Sequence, residues 1–198
     1  MNLQIHEDPW QYGVIDDFLS PERFKEIENL AKIEFEKYKE VGINTPRGKY
    51  TNFVKEDLIP ELTKDFITFQ EHKEYKRLVK INHWVIMPPN TEYPTHIDNI
   101  SRIHTSILYV SPEKNNGTIL CDNPSTNDKG DHEIADKPSR REVQVEWKTN
   151  RLFSHNPRPK TWHRFTSGDT ERVNLSIFFA DPDKIRSHRE ELDYLIDI

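Results

Sequence analysis

The spacing of apolar positions changes about a third of the way along the chain. Val14 and Ile15 end a short apolar stretch that predicts a strand, and Ser20-Pro21-Glu22 follows as a helix start, with Ser as N-cap and Pro at the first helical position. Apolar residues then recur at steps of three and four, which predicts one buried face of a helix. They are Phe24, Ile27, Leu30, Ala31, Phe35 and Tyr38. A second helix is predicted over residues 58–69.

From about Leu78 the apolar period becomes two, which is typical of strands. The predicted strands are Leu78–Met87, Arg102–Val110, Thr118–Cys121, Glu142–Trp147, Arg151–His155, Trp162–Thr166 and Arg172–Ala180. Turn residues separate these short strands, a pattern that indicates a sandwich or a barrel. The polar segment 122–141 is predicted to be a long loop.

Composition narrows the class of protein. The 198 residues predict one domain, and a net charge of −6 argues against a nucleic-acid partner. The single cysteine, Cys121, excludes an intramolecular disulfide and favours a reducing compartment. The sequence shows neither a signal peptide at its start nor an apolar run of membrane-spanning length, so we expect a cytoplasmic protein without a membrane partner.

The residues with the clearest chemistry are His96, Asp98, His163 and Arg172, in that order. On a strand, residues two apart face the same way, so the H-x-D pair His96 and Asp98 is expected to point together. Two imidazoles and one carboxylate can bind one face of an octahedral metal and leave other positions open, as in non-heme Fe(II) oxygenases. A lone arginine on a neighbouring strand can bind a carboxylate through two nitrogens. This set predicts an iron enzyme with a dicarboxylic co-substrate.

Three other histidines, His104, His132 and His155, are rival ligands. His155 is the nearest competitor because it also lies near a predicted strand end, and we expect it to be an ordinary side chain near the mouth of the site. Because histidine must be neutral to bind a metal, we expect activity to fall at acid pH.

Several motifs accompany these residues. Arg102–Val110 resembles the strand R-x-x-T-x-x-x-Y-L, and Gly117–Leu120 resembles G-G-x-L, with Thr118 in place of the second glycine. Two further segments are similar to parts of the proteins that carry these motifs. Asn150–Phe153 is similar to their strand that leads to the distal histidine, and Val14–Ser20 is similar to their common N-terminal segment. Over residues 83–180 the chain thus resembles the Fe(II)/2-oxoglutarate-dependent oxygenases, in particular their prolyl 4-hydroxylase-like branch. It departs from them at Ile86–Asn90, where that branch often has a tyrosine and a glycine.

The resemblance implies a mainly β fold with N-terminal helices and a double-stranded β-helix (jelly-roll) core. Its expected parts, within one domain, are a helical support over residues 1–77, the jelly-roll core over 78–180 and a C-terminal extension over 181–198. It implies Fe(II) ligands at His96, Asp98 and His163. It also implies that Arg172 binds the distal carboxylate of 2-oxoglutarate, that Tyr109 donates a hydrogen bond to the same co-substrate and that Asn174 assists.

The implied activity is a dioxygenase that hydroxylates an amino-acid side chain, with peptidyl proline as one candidate, and releases succinate and CO2. The substrate is therefore a small molecule or a peptide. Two alternatives stay open: the same chemistry on a free amino acid or small metabolite, and a non-enzymatic jelly-roll binding module. Asp98 argues against the related halogenases, which lack this carboxylate. A nucleic-acid demethylase of the same superfamily would carry an arginine six positions after Arg172, where this chain has Phe178. The sequence does not indicate an oligomeric state.

Overall fold

The computed structural model describes residues 2–63, 66, 78–99, 101–122, 134–135, 137–157, 160–185 and 194–197. These residues form a mainly β structure with one long helix, α1 (Pro21–Val41), and a short 3-10 helix at Pro182–Lys184. The strands are β1 (Gln4–His6), β2 (Tyr12–Ile15), β3 (Tyr50–Val54), β4 (Val79–Met87), β5 (Glu92–His96), β6 (Arg102–Ser111), β7 (Thr118–Asp122), β8 (Arg141–Gln144), β9 (Leu152–His155), β10 (Trp162–Thr166), β11 (Arg172–Ala180) and β12 (Ile196–Asp197).

Capping residues define both ends of helix α1. The Ser20 hydroxyl accepts a hydrogen bond from the Arg23 amide at 3.2 Å, and Pro21 occupies the first turn. At the other end Gly42 adopts a φ of 69°, and its amide donates to the Tyr38 carbonyl at 2.7 Å. The predicted helix is therefore confirmed, although Leu30, which was assigned to its buried face, is exposed.

The strands form two antiparallel sheets. The major sheet has the order β1-β2-β9-β6-β11-β4-β12, and β3 also pairs with β4. The minor sheet has the order β5-β10-β7-β8. Strands that are distant in the sequence are thus neighbours, and β11 lies between β6 and β4 in the middle of the major sheet.

The two faces of β11 serve different purposes. Val173, Leu175, Ile177 and Phe179 join the hydrophobic cluster that also contains Ile27 and Ala31 of α1. Because side chains alternate along a strand, the residues between them face away from α1. Those residues include Arg172, Asn174 and Ser176, all buried, so the major sheet carries an apolar face toward the helix and a polar row on its other face.

Most of the predicted strands are confirmed to within a few residues, and the differences have physical reasons. The strand predicted to reach Trp147 ends at Gln144. Strands β3 and β5 were not predicted, because their polar residues and Pro94 hide the alternating pattern. Residues 58–63 of the second predicted helix lie in turns and coil, and most of its remainder lies outside the described residues. Much of the predicted loop 122–141 also lies outside them, but Ile134 forms a β-bridge to His96.

The described part of the chain contains no helix with both the length and the hydropathy needed to cross a bilayer.

Gly117 permits a close contact between the segments that precede β7 and follow β8. A Cβ atom at this position would lie 1.7 Å from the carbonyl oxygen of Val145. The neighbouring backbone is held there by a hydrogen bond of 2.8 Å from the Val145 amide to the Thr118 carbonyl. A side chain at position 117 therefore requires the backbone itself to move.

We expect Gly117→Ala to destabilise the protein by about 1–3 kcal/mol, the usual cost of overpacking a buried site. In a chain of this size each kcal/mol lowers the melting temperature by about 2–4 °C. The control is Gly168→Ala, because a Cβ there would meet no atom closer than 4.0 Å. Thermal unfolding monitored by circular dichroism measures both, and equal melting temperatures for the two variants would contradict the steric argument.

Candidate metal centre

Strand pairing in the minor sheet brings together two histidines that are far apart in the sequence. His96 at the end of β5 lies directly opposite His163 of β10 in the antiparallel ladder. Their ring centroids are 4.3 Å apart, and both residues are buried. Residues opposite each other on paired strands present their side chains on the same face of the sheet. The two imidazoles therefore converge on one point.

Asp98 joins the two histidines from outside the strand. Strand β5 ends at His96, so the expectation that His96 and Asp98 share one strand face is wrong. Asp98 lies instead in the connection to β6, which turns through a hydrogen bond of 2.9 Å from the Arg102 amide to the Asn99 carbonyl. One donor atom from each of His96, Asp98 and His163 lies within 4.8 Å of the other two. The donor set is the one that was predicted, although the backbone reaches it by a turn.

Each histidine is oriented by its own strand. The Nδ1 atom of His96 lies 2.9 Å from the Pro94 carbonyl oxygen, and that of His163 lies 3.0 Å from the Thr161 carbonyl oxygen. A carbonyl oxygen can only accept, so Nδ1 carries the proton in both rings and the lone pair is on Nε2. Such hydrogen bonds fix the tautomer and the orientation of metal-binding histidines. Both rings are thus prepared to bind a metal through Nε2.

The Asp98 carboxylate is kept ionised by its neighbours. Arg102 donates to Oδ1 at 2.8 Å, and the Thr105 hydroxyl donates to Oδ2 at 2.9 Å. Burial by itself raises the pKa of Asp98, but Arg102 and the nearby histidines 163, 155 and 96 hold this pKa well below its usual range. An anionic oxygen ligand is therefore available beside the two imidazoles.

The rival histidines behave differently. His104 is hydrogen-bonded through both nitrogens, to Asn156 at 2.7 Å and to Ser106 at 3.0 Å, and burial lowers its pKa to about 4. His155 is fully buried beside the centre, with Nε2 at 3.6 Å from Asp98 Oδ2, so the expectation that it lies near the mouth of the site is wrong. Neither ring nitrogen of His155 has a hydrogen-bond partner among the described residues. His132 lies outside those residues.

Arg172 is a buried cation on the inner face of the major sheet. Its Nε donates to the Asn116 carbonyl at 3.2 Å and its Nη1 donates to Asn174 Oδ1 at 2.7 Å. Within the described part of the chain its Nη2 has no hydrogen-bond partner, and no carboxylate forms an ion pair with it. Burial lowers the pKa of Arg172 to about 10, with an opposing effect from Tyr109, so the side chain remains charged at neutral pH.

Aromatic rings connect Arg172 to the metal centre. The guanidinium carbon lies 4.9 Å from the centroid of the Phe165 ring and 5.1 Å from that of Trp147. The ring of Phe165 is in turn 6.3 Å from that of His96. One aromatic side chain thus borders both the three-residue donor set and the buried arginine.

The two remaining predicted site residues surround Arg172. The Tyr109 hydroxyl donates to Thr118 Oγ1 at 2.9 Å and accepts from the Thr118 amide at 3.0 Å, while its ring lies 5.5 Å from the guanidinium. Asn174 accepts from Arg172 and donates to the Ser176 hydroxyl at 3.1 Å. Asn174 therefore orients the guanidinium, and the contact of either residue with a co-substrate stays a prediction.

The sequence did not predict two further charged residues near the donor set, Arg102 and Lys49. Arg102 was quoted only as part of a strand motif, and its position four residues after Asp98 was the available signal. Lys49, which acts electrostatically on Asp98, gave no signal, because it lies before a strand that was not predicted.

No family model and no curated protein sequence match the chain. Solved structures do match it. A prolyl-4-hydroxylase of Pseudomonas putida aligns with a TM-score of 0.57 and 14% identity over 85% of this chain and 91% of its own. A prolyl hydroxylase of Trichoplax adhaerens, solved with a hypoxia inducible factor peptide fragment, has a TM-score of 0.63 and 13% identity over 87% and 84%. The epimerase SnoN, solved with Fe3+, alpha ketoglutarate and nogalamycin RO, has a TM-score of 0.59 and 13% identity over 94% and 90%.

The chain therefore has the fold of the 2-oxoglutarate/Fe(II) oxygenases that resemble prolyl 4-hydroxylases. The resemblance inferred from the sequence motifs is confirmed at the level of the fold.

The donor set makes a direct prediction about metal binding. We expect His96→Ala and His163→Ala each to weaken Co(II) binding by more than about 100-fold, since even the loss of a residue that only orients a ligand costs up to that much. Titration of the metal-free protein, followed by the absorption of bound Co(II), measures the effect. His6→Ala, which changes an exposed histidine of β1, is the control. Unchanged affinity in either buried-histidine variant would exclude this site.

Proposed function

We propose that the protein is an Fe(II)- and 2-oxoglutarate-dependent dioxygenase. The observation that carries the proposal is the buried, incompletely hydrogen-bonded guanidinium of Arg172 beside the His96–Asp98–His163 group. A buried charge without a partner is unfavourable, and a bound carboxylate would compensate for it. A donor set for iron and an arginine that can bind a carboxylate, both beside the Phe165 ring, match a dicarboxylic co-substrate that also reaches the metal.

The residues divide the work of holding these groups. His96, Asp98 and His163 would hold the ferrous ion. Arg172 would bind the distal carboxylate of 2-oxoglutarate, Asn174 orients the guanidinium, and the Tyr109 ring lies beside that guanidinium. When bound, iron and 2-oxoglutarate supply the oxidising chemistry, with release of succinate and CO2. The surrounding aromatic rings of Phe165, Trp147 and Tyr109 keep water from the charged groups.

The two sheets are best understood as the walls of a jelly-roll core. His96 and His163 come from the minor sheet and Arg172 from the major sheet, so a ligand between the sheets contacts both. We include the whole chain in one domain, with residues 1–77 as support, 78–180 as the core and 181–198 as an extension. The support is only partly helical, because β1, β2 and β3 belong to the major sheet.

The preferred reaction is hydroxylation of an amino-acid side chain. Peptidyl proline is the leading candidate, because two of the three similar structures named above are prolyl hydroxylases. The likeness to SnoN, an epimerase, supports the alternative that the same cofactors act on a small metabolite. A non-enzymatic binding module is disfavoured by the cost of burying three metal-binding side chains and an arginine without a ligand. The single cysteine, Cys121, is buried and free, which fits a cytoplasmic location.

Anaerobic titration tests the proposal directly. Addition of Fe(II) and then 2-oxoglutarate to the metal-free protein is expected to produce a visible charge-transfer band, and oxygen is expected to produce succinate once a substrate is present. Asp98→Ala should lose the band, because it removes the anionic ligand. Asp169→Ala, at an exposed turn, should retain it. A wild-type protein that binds neither Fe(II) nor 2-oxoglutarate would favour the binding module instead.

Arg172 should determine the affinity for 2-oxoglutarate. We expect Arg172→Met to raise the Kd for 2-oxoglutarate by more than about 30-fold, because removal of one partner of a buried charge pair costs about 2 kcal/mol or more. Arg172→Lys should restore it only in part, since lysine lacks the planar fork.

The matched control for Arg172 is Arg164→Met. This arginine of β10 forms ion pairs with Glu92 and Glu142, at 3.0 and 2.8 Å, away from the donor set. Isothermal titration of the Zn(II)-loaded variants measures the Kd. If Arg172→Met bound 2-oxoglutarate as tightly as Arg164→Met does, the assignment of Arg172 would be wrong.

A further inference from the structure

A second group of positive charges lies near the candidate metal centre. Lys49 comes from the loop between α1 and β3, where the Thr45 side chain fixes its backbone: the hydroxyl donates to the Lys49 carbonyl at 2.8 Å and accepts from its amide at 3.4 Å. The Lys49 ammonium lies 4.2 Å from the centroid of the Tyr93 ring and 5.8 Å from that of Phe165. Tyr93 packs against His96, with ring centroids 4.8 Å apart. The ammonium is thus near the donor set.

The Lys49 ammonium lacks a counter-charge of its own. Among the described residues no ion pair or hydrogen bond to this ammonium is formed, and its contacts are with aromatic rings. Burial of the ammonium, followed by the fields of Arg102, Arg47 and Arg172, lowers the pKa of Lys49 to about 7, and only Asp98 acts in the opposite direction. Asp98 is already paired with Arg102 at 2.8 Å. Among the described residues that act on Lys49, positive charges therefore outnumber negative ones.

Bound 2-oxoglutarate would not remove this excess. One of its carboxylates is assigned to Arg172 and the other to the metal, whose own charge adds to that of the cavity. Among the described residues, the Lys49 ammonium would then remain without a carboxylate partner. An anion that enters after the co-substrate would be attracted to it.

The positive charges also extend from the surface to the donor set. Arg47 is exposed and donates to the Tyr93 hydroxyl at 2.9 Å, Lys49 is partly buried, and Asp98 is buried. Clefts lined by charges of one sign concentrate ligands of the opposite sign. The arrangement therefore suits the entrance of the site rather than its floor.

His83 adds an uncharged polar group on the facing wall. It lies on β4 opposite Ser176 of β11, so it continues the polar row that starts at Arg172 and Asn174. His83 is 6% exposed, and its Nδ1 has no hydrogen-bond partner in the described part of the chain. Burial, and then the charges of Arg102 and Lys49, keep the pKa of His83 well below its usual range. A neutral ring with an unsatisfied nitrogen thus lies within electrostatic range of the Lys49 ammonium.

We propose that the primary substrate carries an anionic oxygen group, a carboxylate or a phosphate, and that Lys49 binds this group at the entrance to the metal centre, with His83 as a second polar contact. The inference rests on the proposed function for the identity of the reaction. The binding of the anion by Lys49 stands on geometry and charge alone. Such an anion site would favour acidic substrates, whether small acids or acidic peptides, over uncharged ones.

The experiment measures anion binding without knowledge of the substrate. Carbon-13 acetate and inorganic phosphate are titrated separately into the protein loaded with Zn(II) and 2-oxoglutarate, and saturable line broadening of their nuclear magnetic resonance signals gives a Kd. The same titration of the metal-free protein is run in parallel. We expect saturable binding to the wild type, and the anion that binds more tightly identifies the carboxylate or the phosphate as the recognised group.

Substitutions then assign the binding to Lys49. Lys49→Met removes the charge at nearly constant length and should weaken binding at least about tenfold, whereas Lys49→Arg keeps the charge and should stay within about threefold of the wild type. Lys55→Met, at an exposed lysine six positions further along the chain, is the matched control and should bind like the wild type. Melting temperatures identify any variant that fails to fold. If Lys49→Met is such a variant, retained anion binding by Lys49→Arg tests the proposal instead.

Three results would overturn the proposal: no saturable binding of either anion to the wild type, equal binding by Lys49→Met and Lys55→Met, or an effect of Lys49→Met on 2-oxoglutarate affinity alone. The last result would make Lys49 part of the co-substrate site. A different measurement would contradict the proposed dioxygenase function: the wild type would show no Fe(II)–2-oxoglutarate charge-transfer band. The titration of metal-free protein still reports on Lys49 in that case.

Discussion

The pairing of β5 with β10 is the constraint on which the candidate site depends. Side chains directly opposite each other in an antiparallel ladder are separated by about 5 Å, so a histidine on each strand brings two imidazoles within reach of one ion. The ladder aligns His96 with His163, and each ring is then fixed by a hydrogen bond to a carbonyl of its own strand. Asp98 needs only a turn of the chain to complete the set. The geometry of the donor set thus follows from backbone pairing and one turn of the chain.

The electrostatics of the cavity follow from this geometry. The centre holds one buried carboxylate, Asp98, and that carboxylate already has Arg102 as a partner. Arg172 and Lys49 remain with aromatic neighbours but without counter-charges in the described part of the chain. Buried charges of this kind cost stability, and a protein retains them where a ligand supplies the opposite charge. This charge pattern therefore favours the binding of anionic ligands beside the donor set.

The sequence predicted the part of the site that depends on strong local patterns. The alternation in Arg172–Ala180 is regular, and a short turn joins this strand to the preceding one, Trp162–Thr166. The sequence therefore predicted that His163 and Arg172 lie on consecutive strands. Asp98 lies beside the two histidines as predicted, but the reason given for it was wrong, because β5 ends before this residue. Lys49 could not be found, since its position depends on a loop before β3, a strand whose polar residues concealed it. His155 was expected at the mouth, but burial depends on tertiary packing that a strand pattern does not specify.

Fold stability and site chemistry are linked most tightly in β11. Leu175 and Ile177 pack in the cluster that includes Ile27 of α1, and the residues between them form the polar row that starts at Arg172. Because the side-chain period of a strand is two, a shift of register by one residue would exchange these faces and place apolar groups at the site. The hydrophobic contact with α1 therefore also determines which side chains face the metal centre. Helix α1 contributes no ligand, yet its packing keeps the guanidinium on the side of the sheet where a carboxylate can reach it.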